Sequence, residues 1–328
     1  MIRPFVRFAS VVALVALSLP LIQASAQTQV PAAPAAMPAA PAPAAAPVFP
    51  KPDPKNFTAK APTKETIDSF LKASWGYDDS RIWQVQAILK TPVDGISKVV
   101  VLVGDKAGKE KGGALEFFAL PDGKHVITGD QIVAFGANPF ADFRAQLQQQ
   151  ANGPFRGSPS KDLELVEFAD FQCPHCKEAQ ANMDKLVVDY PKARIVFESD
   201  PLVSIHPESM IAASYGVCVA SLGGTTAFFQ FAATVFEGQD GLATADGATL
   251  TLNSAVTKAG LDPVKVGACA ATPQTKATVD ASVKLAGDLG INQVPILAIN
   301  GRQVPANAPY ETLKKIIDYQ IKMDGITQ

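Results

Sequence analysis

Four consecutive residues restrict the fold of this chain more than any other feature. Cys173-Pro174-His175-Cys176 follows the strand-like run 163–168 after a short loop and heads the helix-like run 173–190. Strand, loop and helix in that order place Cys173 at the helix N-cap, Pro174 at the first helical position and Cys176 one turn in. Unpaired N–H groups and the positive end of the helix dipole favour a thiolate at Cys173. Cys176 is within disulfide reach and more buried, so the first sulfur attacks and the second resolves. His175 can add positive charge or an N–H donor beside the thiolate. A lone C-x-x-C is also half of a zinc site, but no second close pair exists, because Cys218 and Cys269 are far apart in sequence. No metal and no organic cofactor is expected.

The pattern around the motif alternates in the α/β manner. Met183, Leu186, Val187 and Tyr190 form the inner face of the helix, and 193–198 reads as the next strand. From 207 to 289 only helical segments follow, separated by Gly-rich or polar breaks. The run 295–299, the Asn300-Gly301 turn and 302–304 then make a hairpin, and 310–322 a last helix. Glu167 shares a strand face with Leu163 and Leu165, which buries it, raises its pKa and suits it to exchange protons with Cys176. The register also leaves open an exposed edge position for it. An X-Pro bond is cis only about 5% of the time, so the residues alone make Val294-Pro295 trans. Cys218 and Cys269, on the inward faces of helical segments 210–221 and 262–271, read either as a pair or as two separate buried thiols.

The first half is different. Arg3 and Arg7 precede an apolar stretch ending near Ile22, and Ala24-Ser25-Ala26 supplies a small-x-small site, the pattern of a secretory signal cleaved near Ala26. Export implies an oxidising compartment, periplasmic or otherwise extracytoplasmic. An Ala/Pro-rich spacer occupies the region up to residue 62. Between 63 and 137 a helix with Ile67, Phe70, Leu71 and Trp75 precedes five strand-like runs, with Pro121-Asp122-Gly123 as a hairpin turn. This is a small α+β domain. A helix from Pro139 to Gln150 with a narrow apolar stripe reads as a partly free strut, and 152–160, with two glycines and two prolines, as a hinge. The formal charge of −2 over 328 residues gives no field for phosphate backbones, so nucleic acid is not an expected partner.

The segment from Asp162 to Lys322 resembles the DsbA family of secreted thioredoxin-fold oxidoreductases. The resemblance rests on Val166-Glu167-Phe168, Cys173-Pro174-His175-Cys176, His206-Pro207, Val294-Pro295 and Ile299-Asn300-Gly301. It implies an α/β thioredoxin fold with a helical insertion in residues 161–328. It further implies an exposed nucleophile at Cys173, a proton-handling Glu167, a cis Pro295 contacting bound substrate beside Val294 and Pro174, and a structural disulfide between Cys218 and Cys269. Residues 63–137, with Leu120-Pro121-Asp122-Gly123-Lys124-His125-Val126-Ile127 and Gly129, resemble the small cystatin-like dimerisation domain of the DsbC and DsbG isomerases. An unrelated α+β module remains the alternative. Isomerases of that kind usually carry threonine before the cis-proline, where this chain has Val294. The expected activity is therefore thiol–disulfide exchange on exported proteins, with a membrane or soluble redox partner and a homodimer. Isomerase or reductase action, or a non-enzymatic holdase, are the alternatives.

Overall fold

The computed structural model describes residues 49–108, 112–129 and 131–327. The signal-peptide reading over 1–26 and the start of the Ala/Pro-rich spacer lie outside them. In chain order the elements are α1 (Lys64–Trp75), β1 (Arg81–Lys90), β2 (Ser97–Asp105), β3 (Gly113–Ala119), β4 (His125–Thr128), β5 (Gln131–Ala134), α2 (Ala141–Gln150), β6 (Phe155–Gly157), β7 (Glu164–Ala169), α3 (Pro174–Asp189), β8 (Arg194–Ser199), α4 (Ser209–Glu237), α5 (Ala245–Lys258), α6 (Pro263–Ala270), α7 (Pro273–Asp288), β9 (Ile296–Ile299), β10 (Arg302–Pro305) and α8 (Tyr310–Asp324).

β1 to β5 form an antiparallel meander in sequence order. Its inner face, with Val99, Val101, Phe117 and Val126, packs on Ile67, Phe70 and Leu71 of α1. Thr63 caps α1 by accepting from the Thr66 N–H at 3.2 Å. The end of the expected spacer is not loose chain. Phe57 forms a parallel bridge to Ile88, the Ala59 N–H donates to the Ile88 carbonyl at 3.0 Å, and Ser97 Oγ donates to the Ala61 carbonyl at 2.6 Å. The edge of β1 would otherwise present unpaired backbone groups, and this segment covers it.

The second sheet runs β10-β9-β7-β8-β6. β7 and β8 are parallel, while β9 and β10 return antiparallel. Asn300 and Gly301, with φ of 45° and 91°, supply the two left-handed residues a tight β9–β10 turn needs. This is the thioredoxin fold: β7-α3-β8, a helical insertion α4 to α7, then β9-β10-α8. One face of the sheet carries α3 and α8, with Met183, Leu186, Leu313 and Ile317 against Leu163, Leu165 and Leu297. The other carries α2 and α7, with Leu147, Leu285 and Leu289 against Val166, Phe168 and Val196. The insertion has its own core of Phe171, Phe228, Phe231, Phe236 and Leu252. α4 kinks at Gly224, whose φ of 76° interrupts the helix. By length and composition α4 also meets the requirement for crossing a membrane, and half of its most apolar window is buried inside the protein.

Two expectations for 138–160 are corrected. α2 starts at Ala141, not Pro139, and is no strut, because Leu147 is 2% exposed in the sheet core. The hinge contains β6, an edge strand antiparallel to β8 through Phe155↔Val196 and Gly157↔Arg194. The small sheet is also fastened to the second one. Arg302 on β10 donates to the carbonyls of Ala73 and Ser74 at 2.5 and 2.6 Å, and the Tyr319 hydroxyl of α8 donates to the Lys72 carbonyl at 2.6 Å. Ala73 and Ser74 carry orphan carbonyls at the end of α1, while the Lys72 carbonyl also accepts from the Gly76 N–H at 2.8 Å.

Candidate active site

Cys173 is the N-cap of α3 and Pro174 its first residue. The Cys173 carbonyl accepts from the N–H groups of Cys176 and Lys177, starting the helix under the motif. Both thiols are unbonded to one another, with Cys176 fully buried. Cys173 is only 5% exposed, so the expectation of an exposed nucleophile is corrected. It packs into the insertion core, and its sulfur faces the Val294 carbonyl at 4.0 Å. Exposed Pro174 and His175 border it.

The two thiols differ sharply in acidity. The Cys173 pKa is lowered to about 6. The hydrogen bond from Cys176 is the largest cause; the backbone N–H groups of Cys176 and His175 and the charge of His206 add to it, against the opposing effect of burial. Burial pushes the Cys176 thiol far up, helped by the neighbouring Cys173. The His175 ring is turned outward to Glu178, 3.0 Å away, and its side chain is 64% exposed. What His175 gives Cys173 most directly is therefore its backbone N–H.

Glu167 is 2% exposed on the sheet face that meets α3, and burial raises its pKa to about 7 despite the hydrogen bond from Gln180. Gln180 Nε2 donates to Glu167 Oε1 at 2.8 Å and to the Cys176 carbonyl at 3.1 Å. The Val294–Pro295 bond is cis, as the resemblance implies and against the residue-only expectation. Cys218 and Cys269 form a disulfide within the insertion, away from Cys173 in sequence and on helices α4 and α6.

Asp170 and Gln239, like Gln180, have no role assigned from the sequence. Asp170 ends the strand–loop junction: its N–H donates to Cys176 Sγ at 3.4 Å and its carbonyl accepts from the Cys173 N–H at 3.1 Å. Its buried carboxylate takes His206 Nδ1 at 2.8 Å and the Leu202 N–H at 2.8 Å. Gln239, in the turn after α4, donates to the carbonyls of Phe171 and Cys173 at 2.8 and 2.9 Å. An acidic residue three places before the first cysteine of a C-x-x-C motif was the available signal for Asp170; nothing local marks Gln239, which arrives from 66 residues away. Among the described residues no cluster of His, Cys, Asp and Glu is arranged to hold a metal ion.

A family model described as thioredoxin matches residues 149–319. The chain belongs to the thioredoxin family. Solved structures similar to it include a thioredoxin-like oxidoreductase from Silicibacter pomeroyi, at 25% identity over 55% of this chain and 98% of that one, with a TM-score of 0.46. A periplasmic thioredoxin-like protein from Salmonella enterica serovar Typhimurium follows at 22% identity, over 55% of this chain and 96% of that one, TM-score 0.46. The thiol-disulfide exchange protein alpha-DsbA2 from Wolbachia pipientis is 20% identical over 55% and 96%, TM-score 0.46. Among curated proteins, the Na(+)/H(+) antiporter NhaA 3 of Salinispora tropica is 35% identical over 91 residues, which is 28% of this chain and 14% of that protein. The chain thus spans about a seventh of the length of that relative.

Proposed function

We propose that this thioredoxin-family protein is a thiol–disulfide oxidoreductase of the DsbA type that donates disulfides to exported proteins. The observation that carries the reading is the asymmetry of the pair: Cys173 at a helix N-cap with its pKa lowered to about 6, beside a fully buried Cys176 whose thiol is pushed up. A stabilised Cys173 thiolate favours the reduced dithiol and makes the Cys173–Cys176 disulfide a strong oxidant.

In the proposed reaction a substrate thiolate attacks Cys173 Sγ of the oxidised pair. The bond to Cys176 breaks, and the electron pair leaves on Cys176, which takes a proton from Glu167. A second substrate thiolate then attacks the substrate sulfur of the mixed disulfide, and Cys173 departs as its stable thiolate. The substrate gains a disulfide and the pair is left reduced. An external disulfide-bearing redox partner must re-oxidise it, in a compartment where such a partner operates.

Equilibration of the pair with glutathione tests this. A potential well above the cytosolic glutathione range, with rapid oxidation of a reduced dithiol peptide, is expected; a potential near −270 mV, as for a reductant of the thioredoxin kind, overturns it. A second reading, disulfide isomerase, is supported by the small α+β domain ahead of the site. Scrambled-disulfide reactivation compared with peptide oxidation separates the two.

A further inference from the structure

Gln180 lies on α3 one turn after Cys176, half-buried, and its single Nε2 group makes both of its bonds. A backbone carbonyl only accepts, so the contact with the Cys176 carbonyl fixes which end of the amide points inward. The same Nε2 then presents its second hydrogen to Glu167 Oε1. One carboxyl oxygen is therefore held as an acceptor whether or not the group carries a proton, and the proton belongs on Oε2.

The other neighbours of Glu167 offer no equivalent. Its register partners on β8 and β9 are Phe197 and Leu297, which are apolar. The charged groups facing it are Arg156 from β6 and Asp184 from α3, joined to each other at 2.7 Å, and Cys176 itself. Their opposite signs partly cancel at Glu167. Among the described residues, Gln180 alone combines a direct bond to the carboxyl with a bond to the turn that carries the resolving sulfur.

Building on the thiol–disulfide exchange reading, we propose that Gln180 is the positioning residue that orients the Glu167 carboxyl and ties it to the Cys176 turn, so that proton transfer between the two occurs on Oε2. When a Cys173 mixed disulfide is resolved, the Cys176 thiol gives its proton to the Glu167 carboxylate. The resulting thiolate bonds to Cys173 Sγ, and the substrate sulfur leaves with the electron pair. When the Cys173–Cys176 disulfide is opened, the proton returns. Gln180 neither gains nor loses a proton in either direction.

Gln180→Met keeps the length and removes the donor. Carboxyl-carbon NMR should then show the Glu167 midpoint rising by about one pH unit, because a hydrogen bond to the charged form is gone. The pH at which mixed-disulfide resolution reaches half its maximal rate should rise in parallel, with the Cys173 thiolate titration unmoved. In the wild-type protein the side-chain amide signal of Gln180 should titrate with the Glu167 midpoint, a readout that depends neither on the variant folding nor on turnover. An unchanged Glu167 midpoint in the variant, a rate loss equal at every pH, or a Gln180 signal indifferent to Glu167 overturns the proposal. Absence of dithiol oxidation with the NMR coupling intact would instead count against the exchange reading alone.

Discussion

Asp170 and His206, 36 residues apart, meet at 2.8 Å through Oδ2 and Nδ1, and the backbone of the same Asp170 touches both cysteines of the C-x-x-C pair. The loop that delivers the thiols is thereby tied to the start of the insertion. His206 also contributes to the lowered pKa of Cys173. His206→Gln removes that charge and is expected to raise the Cys173 titration from about 6 by roughly half a unit to one unit. Ultraviolet thiolate absorbance of the reduced protein against pH measures it. The linkage sign follows from a depressed folded value. The Cys173 thiolate stabilises the reduced fold above the unfolded-state value and that contribution is lost as pH falls through about 6. The reduced variant should therefore lose part of this gain at alkaline pH and none of it at pH well below 6.

Glu167 works in the opposite direction. Its folded pKa of about 7 stands above the ordinary 4.5, so the fold holds the proton more tightly than the unfolded chain does. Stability contributed by this group is complete below the unfolded value and is lost as pH rises through about 7. Glu167→Gln removes the ionisation and should stabilise the protein at pH 8 by up to about 3 kcal/mol, with the gain vanishing near pH 4. Urea unfolding at both pH values checks it. Equal gains at the two would show that burial of charge at Glu167 is not the cause.

The chemistry of the site was more legible than its supports. Cys173, Pro174 and Cys176 could be placed because a helix N-terminus is a local event, governed by the residue at the cap and the proline after it. The apolar rhythm of 163–168 similarly gave Glu167 its buried face. β6 could not be seen: three residues between glycines and prolines show no period, and only the edge of β8 makes them a strand. The apolar stripe of Phe140, Phe143 and Leu147 is narrow, yet Leu147 and Ala151 suffice to dock α2 in the sheet core. Gln180, Gln239 and Arg302 act through backbone carbonyls, which have no sequence signature at all.

Cys218 and Cys269 close a separation of 51 residues between α4 and α6. The chain-entropy account gives such a link about 4 kcal/mol of stabilisation, by restricting the unfolded state. Replacing both by alanine should lower the unfolding midpoint accordingly while leaving the Cys173 titration near 6. Peptide mapping of the unreduced protein should recover the two residues as one cross-linked pair. Alkylation of both without prior reduction would remove the disulfide from the account.

The outer face of the small sheet decides the isomerase reading. Phe118, Ile127 and Ile132 stand side by side across β3, β4 and β5, with Phe118 40% and Ile132 59% exposed. An apolar row on the open side of an antiparallel sheet is suited to burial against another surface, and a second copy of this chain is the proposed occupant. The mass in solution should be that of two chains, and Phe118→Asp with Ile132→Asp should reduce it to one. This pair of substitutions is a cleaner test than deleting residues 63–137, because deletion would also strip Arg302, which is 4% exposed, of its acceptors Ala73 and Ser74. In the double variant, reactivation of scrambled disulfides should fall several-fold more than peptide oxidation, since reshuffling requires the substrate to be held between successive exchanges. If the wild-type protein is a single chain, or if the two activities fall together, the small domain is no dimerisation module and only the disulfide-donating function stands.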